Sequence, residues 1–172
     1  MGCHTSLIIV VAGVSGSGKS TVAAMLADRL HYEFADADTF HPAVNVAKMR
    51  AGIPLEDADR QPWLEAIERW MDERIAAGQS AIVTCSALHR AYRQALLEGR
   101  PQVRLVFLAV SRPVAAARLA TRRGHFFPPG LLDSQFSDLE PPDQSENVLI
   151  VNADRPAGML ISDILDSISN SR

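Results

Sequence analysis

The chain has 172 residues, of which 47% are hydrophobic and 22% charged, a composition typical of one globular domain rather than of a disordered segment. The net charge of −3 argues against nucleic acid as the main partner, because duplex binding normally requires a basic face. The two cysteines, Cys3 and Cys85, form neither a disulfide framework nor a zinc motif, and no apolar run has the length of a membrane span or the form of a signal peptide. We therefore expect a single cytoplasmic domain over residues 1–172, with neither nucleic acid nor a membrane as a partner.

The sequence begins with a strand, a glycine-rich loop and a helix in direct succession. Residues 7–12 (LIIVVA) are apolar throughout, and residues 20–30 carry apolar side chains at helical spacing. Between them, residues 13–20 (GVSGSGKS) fit the phosphate-binding pattern G-x-x-x-x-G-K-S/T. A chance glycine-rich turn is the competing explanation. The residues predicted to contact ATP here are Gly13, Val14, Ser15, Gly16, Ser17, Gly18, Lys19, Ser20 and Thr21.

The chemistry expected of this loop follows from its residue types. Glycines allow several backbone N–H groups to converge on one anion, and the helix that follows adds the positive end of its dipole. Lys19 is predicted to reach the β- and γ-phosphates, and the Ser20 hydroxyl to bind Mg²⁺. Such a site occurs in motors, switches and kinases, so it predicts a nucleotide but not a reaction.

The rest of the chain alternates apolar runs with amphipathic stretches. Further strands are predicted at residues 32–35, 81–85, 104–110 and 148–152, and helices at 62–78, 89–98, 111–123 and 156–169. Strands that are apolar throughout and alternate with helices are typical of a parallel sheet covered on both faces. The predicted fold class is α/β, with five parallel strands and helices on both faces.

Two carboxylates follow the second predicted strand. Ligands of parallel sheets bind beyond the carboxyl ends of the strands, and Asp36 and Asp38 lie at that edge. One carboxylate can hold Mg²⁺ through water while the other accepts a hydroxyl proton, and we assign Asp36 to the first role and Asp38 to the second. The alternative is a turn in which the Asp side chains bond to the backbone.

Around these acids the sequence resembles the gluconate kinases (gluconokinases) of the small P-loop type, within the shikimate-kinase-like and nucleoside-monophosphate-kinase-like superfamily. The resemblance rests on D-A-D-x-F-H-P at residues 36–42, N-x-x-K-M-x-x-G-x-P-L-x-D-x-D-R-x-P-W-L at 45–64, C-S-A-L-x-x-x-Y-R at 85–93, and a lid-like run at 118–140. Together with the glycine loop these elements cover about residues 11–156. The glycine loop occurs in many nucleotide-binding proteins, whereas residues 41–64 and the lid are specific to this family.

The resemblance implies an ATP:D-gluconate 6-phosphotransferase that forms 6-phosphogluconate and ADP by direct in-line transfer, with ATP and Mg²⁺ as cofactors. It places an acceptor-binding helical segment at about residues 39–78 and a mobile lid at about residues 118–130. It also suggests a homodimer, although no exposed apolar stripe in the sequence demands one.

A six-carbon polyhydroxy acid needs cations for its carboxylate and hydrogen-bonding groups for its hydroxyls. Arg50 and Arg60 lie in the acceptor segment, and a guanidinium fork suits a carboxylate. His41 and Ser86 are expected to bind hydroxyls, and Asp38 to orient or deprotonate the attacking 6-hydroxyl. A solvated surface position competes with this role for Arg50, an ion pair with a flanking aspartate for Arg60, and a capping role for His41.

The predicted lid carries a local basic cluster consisting of Arg112, Arg118, Arg122 and Arg123. Arg118 and Arg122 are four residues apart, so they are predicted to share a helix face, to contact ATP and to stabilise charge on the transferring phosphoryl group. A solvated basic helix end is the alternative. The resemblance adds His125 to the substrate-binding residues, and places Asn152 and Pro156 at the adenine, which is contacted mostly by backbone.

Three positions depart from the family pattern. Ala37 replaces a glycine, His89 a lysine and Asn152 an acid. The change at His89 puts in doubt any acceptor or phosphate contact made by that lysine. Trp63 and Trp70 are assigned to the core rather than to ligand stacking.

Two other functions stay open at this point. A kinase of the same architecture could act on shikimate or on another sugar acid, because one hydroxyl's configuration is read by three-dimensional geometry. A nucleotide-binding regulatory protein without turnover is the second alternative, although a pure binder has no need of the lid arginines.

Overall fold

A five-stranded parallel sheet forms the centre of the fold. The structure, a computed structural model, describes residues 6–122 and 129–170. The strands are β1 (Ile8–Ala12), β2 (Glu33–Asp36), β3 (Ala81–Cys85), β4 (Val103–Ala109) and β5 (Val148–Asn152). Their order is β2-β3-β1-β4-β5, and every neighbouring pair is parallel. The predicted fold class is confirmed, and the glycine loop leaves the central strand.

Helices cover both faces of this sheet. They are α1 (Lys19–Leu30), α2 (Ala43–Arg50), α3 (Asp57–Ala76), α4 (Arg90–Leu97), α5 (Arg112–Ala120), α6 (Pro129–Asp138) and α7 (Ala157–Asn170). In β1, Ile8 and Val10 pack on the side of α3 and α4, while Ile9 and Val11 pack on the side of α1 and α7. Burial on both faces explains why β1 is an unbroken apolar run. Within the described residues, no helix combines the length and the apolar character needed to cross a membrane.

Helix α3 holds the turn that carries the predicted acids. Trp63 and Trp70 are only 3% and 9% exposed, which confirms their assignment to the core. The Trp63 indole N–H donates to the carbonyl of Ala37, 2.7 Å away. Ala37 begins the 3₁₀ turn Ala37–Phe40 that follows β2. Asp38 is therefore displayed by a turn that is anchored from below by a core tryptophan.

The start of α3 differs from the prediction. The helix begins at Asp57, not at residue 62, and Pro62 lies inside it on an exposed position. The Asp59 carboxylate accepts the N–H of Glu56 at 2.9 Å and so caps the first turn. A proline favours the first turn of a helix, but here this local cap starts the helix earlier.

Helix α5 is shorter than predicted, ending at Ala120 rather than near residue 123. Beyond it, the N–H of Arg122 bonds to the carbonyl of Leu119 at 3.3 Å, so the chain tightens instead of continuing as an α-helix. The prediction that Arg118 and Arg122 share a helix face is therefore wrong. Helices α2 and α6 were not predicted, because prolines and glycines obscure the periodicity around both.

Candidate active site

The glycine loop between β1 and α1 has a backbone that suits glycine. Its φ angles are +145° at Gly13, +78° at Gly16 and +94° at Gly18. Gly18 is the N-cap residue of α1, so the free N–H groups of the first helical turn face the loop. The N–H of Gly13 donates to the carbonyl of Ser86 at 3.2 Å, which joins the loop to the end of β3. The result is an anion-binding concavity at the carboxyl edge of the sheet.

Gly16 is the glycine whose replacement should be most informative. A Cβ at this position would lie 2.6 Å from the carbonyl oxygen of Ala115, in α5. We expect Gly16→Ala to weaken the binding of a non-hydrolysable ATP analogue by at least about tenfold, because either the loop or α5 must move. Isothermal titration measures the affinity, and a thermal melt measures the loss of stability.

Gly78→Ala is the matched control for this change. Gly78 has a similar φ of +67°, but nothing lies within 4 Å of a Cβ there. This variant therefore reports only the cost of a left-handed alanine, about 1–2 kcal/mol, with nucleotide affinity unchanged. If Gly16→Ala bound the analogue as tightly as Gly78→Ala, the close packing of loop and α5 would be irrelevant to the site.

Lys19 lies between the loop and the acids. Its Nζ donates to the carbonyl of Val14 at 2.9 Å. Lost hydration lowers the pKa of Lys19, whereas the nearby Asp38 and Asp36 oppose that shift. Burial raises the pKa of the neighbouring Cys85 thiol to about 12, so this cysteine is not a nucleophile at neutral pH.

The two aspartates have different surroundings. Oδ1 of Asp36 accepts the N–H of Asp38 at 3.0 Å and the hydroxyl of Thr84 at 3.2 Å, so the turn-forming role considered for the pair is present at Asp36. Asp38 is exposed as a residue, but protein surrounds its carboxyl closely enough that lost hydration, and then the charge of Asp36, raise its pKa. Lys19 acts in the opposite direction. Asp38 is thus the carboxylate free to accept a proton in the cleft.

His41 joins this group from the acceptor side. Its ring stacks on Trp63, with centroids 4.7 Å apart and planes 7° from parallel. Lost hydration lowers the pKa of His41, with Asp38 opposing and Arg60 reinforcing the shift. The imidazole is therefore held in place and favoured in its neutral form, which can both donate and accept hydrogen bonds. The N–H of His41 also bonds to the carbonyl of Asp38 at 3.4 Å.

The predicted arginines of the acceptor segment lie in different settings. Arg60 is half-buried and lies 3.7 Å from Asp57, so the alternative ion pair is present. Arg50 is exposed in the last turn of α2, and among the described residues it has no hydrogen bond or ion pair. The segment itself is braced by Lys48, whose Nζ lies 2.6 Å from Asp59, and by Asn45, whose amide donates to the Asp59 carbonyl at 2.7 Å.

Ser86 belongs to a tightly held loop after β3. The next residue, Ala87, is buried and has a φ of +42°, an uncommon backbone for alanine. Arg93, from α4, donates to the carbonyls of Ala87 and Leu88 at 3.1 and 3.0 Å. The same guanidinium makes two bonds to Glu146, at 2.7 and 2.8 Å, in an ion pair with side chains only 0% and 4% exposed. Sequence reasoning missed this pair, because nothing local indicates that residues 53 positions apart meet.

The predicted arginine cluster is divided in the structure. The guanidinium of Arg118 donates to the carbonyls of Ala153 at 2.8 Å and Ser17 at 3.3 Å, which joins the glycine loop to the loop after β5. Arg112 instead pairs with Asp133 at 2.6 Å. Arg122 is exposed and influences the titration of both Lys19 and Asp38, which places its charge near the cleft. Arg123 and His125 lie outside the described residues, as do Phe126 and Phe127.

The loop after β5 is ordered by its own polar groups. The side chain of Asn152 accepts the N–H of Asp154 at 3.0 Å, and the Asp154 carboxylate accepts the N–H of Ser111 at 2.8 Å. Pro156 is exposed just before α7. The predicted adenine contacts of Asn152 and Pro156 stay predictions.

Comparison with known proteins agrees with this site. A family model described as an AAA domain matches residues 8–142. The gluconokinase of Gluconobacter oxydans (strain 621H) is 43% identical over 157 residues, which cover 91% of this chain and 88% of that protein. The chain belongs to the gluconokinase family. The family resemblance predicted from the sequence is therefore confirmed, and the protein is a kinase.

Solved structures agree with the gluconokinase assignment. A gluconokinase from Sinorhizobium meliloti 1021 superposes with a TM-score of 0.85 at 41% identity, covering 96% of this chain and 93% of that chain. An unliganded sugar kinase from Janibacter sp. HTCC2649 gives a TM-score of 0.88 at 44% identity, covering 95% of both chains. The gluconokinase fold therefore extends over almost the whole chain.

Proposed function

We propose that this protein transfers the γ-phosphoryl group of ATP to the 6-hydroxyl of D-gluconate, giving 6-phospho-D-gluconate and ADP. The observation that carries the proposal is the meeting of Lys19, from the glycine loop, with Asp38, from the turn after β2, at one edge of the sheet. Each influences the titration of the other, so donor and acceptor groups are close. In a chain of the gluconokinase family, this arrangement supports direct transfer between two bound substrates.

The proposed step is a single in-line displacement. The 6-hydroxyl oxygen forms a bond to the γ-phosphorus as the bond from that phosphorus to the β–γ bridging oxygen breaks, and the hydroxyl proton passes to Asp38. The loop N–H groups and Lys19 bind the phosphate oxygens and stabilise the charge that develops on ADP. No covalent enzyme intermediate is required.

The residues present fit a magnesium-bound triphosphate. Ser20 is exposed at the start of α1, and Asp36 lies at the same sheet edge. Mg²⁺ usually takes one or two protein oxygens together with phosphate oxygens and waters, so these two side chains suffice. Among residues 6–122 and 129–170, no group of three or more His, Cys, Asp or Glu side chains forms a metal cage. The ion would supply charge neutralisation of the phosphates when bound.

On the acceptor side, we propose that His41 and Ser86 bind gluconate hydroxyls and that Arg60 and Arg50 receive its carboxylate. The stacking of His41 on Trp63 supports this role, because it fixes the ring near Asp38. Arg60 lies close enough to affect His41 and to bond to the Tyr92 hydroxyl, so it has a defined position at the cleft. His125 is included on the family resemblance alone. A homodimer and a cytoplasmic location also stay predictions.

A coupled ADP-release assay over a panel of acceptors tests the proposed reaction. The panel contains D-gluconate, other aldonates, shikimate and nucleoside monophosphates. We expect rapid ADP release with gluconate and none with nucleoside monophosphates. Turnover on another acceptor without turnover on gluconate would contradict the substrate. ATP binding without turnover on any acceptor would favour the regulatory alternative.

Replacing Arg122 tests the proposed role of the lid arginine. Arg122 has no hydrogen bond to another side chain among the described residues, yet its charge acts on Lys19 and Asp38. We expect Arg122→Ala to lower kcat by about a hundredfold with little change in gluconate affinity, because the charge is needed on the transferring phosphoryl group. Steady-state kinetics with both substrates measures this.

Arg112→Ala is the matched control, since it removes an arginine that is paired with Asp133 instead. It should lower kcat far less. A raised KM for gluconate with unchanged kcat in Arg122→Ala would place Arg122 on the acceptor.

A further inference from the structure

Helix α6 touches the glycine loop through one side chain. The Ser15 N–H donates to Oε1 of Gln135 at 2.6 Å, and Nε2 of Gln135 donates to the Ser15 hydroxyl at 3.0 Å. The two residues are 120 positions apart, and both are half-buried. A primary amide that both accepts and donates fixes the position of Ser15 relative to α6 more firmly than a single bond would.

Helix α6 is itself held against the fold. Leu132 is only 6% exposed. Asp133 pairs with Arg112 at 2.6 Å, and the Arg112 guanidinium lies over the Phe136 ring, 5.1 Å from its centroid. These contacts lie on the turn that contains Gln135, so the amide is presented to Ser15 by a braced helix.

The chain that leaves α6 contacts the acceptor side directly. The Glu140 N–H donates to the carbonyl of Leu88 at 3.0 Å. The Glu140 carboxylate accepts the N–H of Arg90 at 2.5 Å and lies 3.7 Å from the His89 ring. That hydrogen bond from Arg90 is the main reason that the pKa of Glu140 is lowered. Only five residues separate Gln135, on the donor loop, from Glu140, on the loop that follows Ser86.

We propose that Gln135 and Glu140 are positioning residues that couple the nucleotide loop to the acceptor loop. When the triphosphate fixes the backbone around Ser15, the Gln135 amide fixes the end of α6, and Glu140 then holds residues 86–90 in place for the acceptor. The inference rests on the proposed function, because it takes residues 13–20 to be the ATP site. It goes beyond that function, since neither side chain is assigned to a substrate.

A second route between the two loops exists and must be separated from this one. The N–H of Gly13 bonds to the carbonyl of Ser86 at 3.2 Å, independently of α6. If that bond carried the coupling, removing the Gln135 hydrogen bonds would leave the response of residues 86–92 intact. The experiment therefore has to remove hydrogen bonds while preserving packing.

Hydrogen exchange with and without a non-hydrolysable ATP analogue and Mg²⁺, in the absence of any acceptor, tests the coupling. In the unmodified protein, we expect the analogue to slow exchange in peptides covering residues 13–20 and to slow it at least about fivefold in residues 86–92. Gln135→Met keeps the length of the side chain but loses both hydrogen bonds. It should abolish the effect at residues 86–92 while residues 13–20 stay protected at saturating analogue. Glu140→Ala should do the same from the other end.

Gln94→Met is the matched control, because Gln94 is exposed on α4 and its side chain has no hydrogen bond among the described residues. It should leave both responses unchanged. Persistence of the effect at residues 86–92 in Gln135→Met, or its absence in the unmodified protein, would overturn the coupling while leaving the proposed function intact. Absence of protection at residues 13–20 in the unmodified protein would instead contradict the ATP site, and the coupling with it.

Discussion

Lys19→Met should abolish detectable ADP release with gluconate, a loss of at least about a thousandfold in kcat. Methionine has nearly the same length but no charge, so the variant removes the cation that the glycine loop directs at the phosphates. The fold should survive, because lost hydration lowers the pKa of Lys19 and the charged form therefore costs folding free energy at neutral pH. A thermal midpoint at or above that of the unmodified protein would separate loss of catalysis from loss of structure.

Lys48→Met is the matched control, since Lys48 is the other lysine of the chain. It lies in the acceptor segment and pairs with Asp59 at 2.6 Å. We expect this change to loosen the acceptor segment and to leave kcat readily measurable. If Lys19→Met retained kcat within about tenfold of the unmodified value, direct assistance of the transfer by Lys19 would be contradicted.

Asp38→Asn should lower kcat by at least about a hundredfold, because asparagine cannot accept the proton of the attacking hydroxyl. The pH profile provides a second test. Lost hydration and the charge of Asp36 raise the pKa of Asp38, so the acid limb of kcat should lie above the range of an ordinary aspartate. Activity should rise with pH through this limb, since the ionised form is the base.

The same shift predicts an effect on stability. A carboxyl with a raised pKa in the folded protein binds more protons when folded than when unfolded, so stability falls as pH rises from the unfolded pKa to the folded pKa. Asp38→Asn removes the charge responsible for that loss. We therefore expect the variant to melt at a higher temperature than the unmodified protein at neutral pH without ligands, even though it is nearly inactive.

Asp36→Asn is the control for the aspartate pair. Asparagine keeps an oxygen that can accept the N–H of Asp38, so the turn should persist. Removing the Asp36 charge should lower the pKa of Asp38 and shift the acid limb of the profile to lower pH. A kcat for Asp38→Asn close to that of the unmodified protein, or an unshifted limb in Asp36→Asn, would show that Asp38 is not the base.

Features with a local physical cause could be read from the sequence. The central strand is apolar throughout because both faces of the sheet are covered, and Gly16 and Gly18 are glycines because the backbone there has a positive φ. Asp36 and Asp38 could be placed beside the glycine loop without a structure, since parallel strands bring their carboxyl ends to one edge. The family motifs could be recognised from fixed spacing in the same way.

Features decided by packing could not be read in this way. The four arginines of the predicted lid have the same charge and lie close in sequence, but Arg118 binds backbone carbonyls, Arg112 pairs with Asp133, and Arg122 lies beyond the end of α5. Which partner each side chain meets depends on how α5, α6 and the loop after β5 are arranged. Residue type and spacing do not encode that arrangement.

The sequence by itself therefore determined the sheet, the phosphate loop, the position of the acids and the family, because each depends on neighbouring residues or on a periodic pattern. Only the tertiary structure decided that Gln135 bonds to Ser15 and that Arg93 pairs with Glu146. These contacts join residues 120 and 53 positions apart. A polar side chain on one segment carries no local signal of its distant partner, because the partner is set by the packing of whole helices against the sheet.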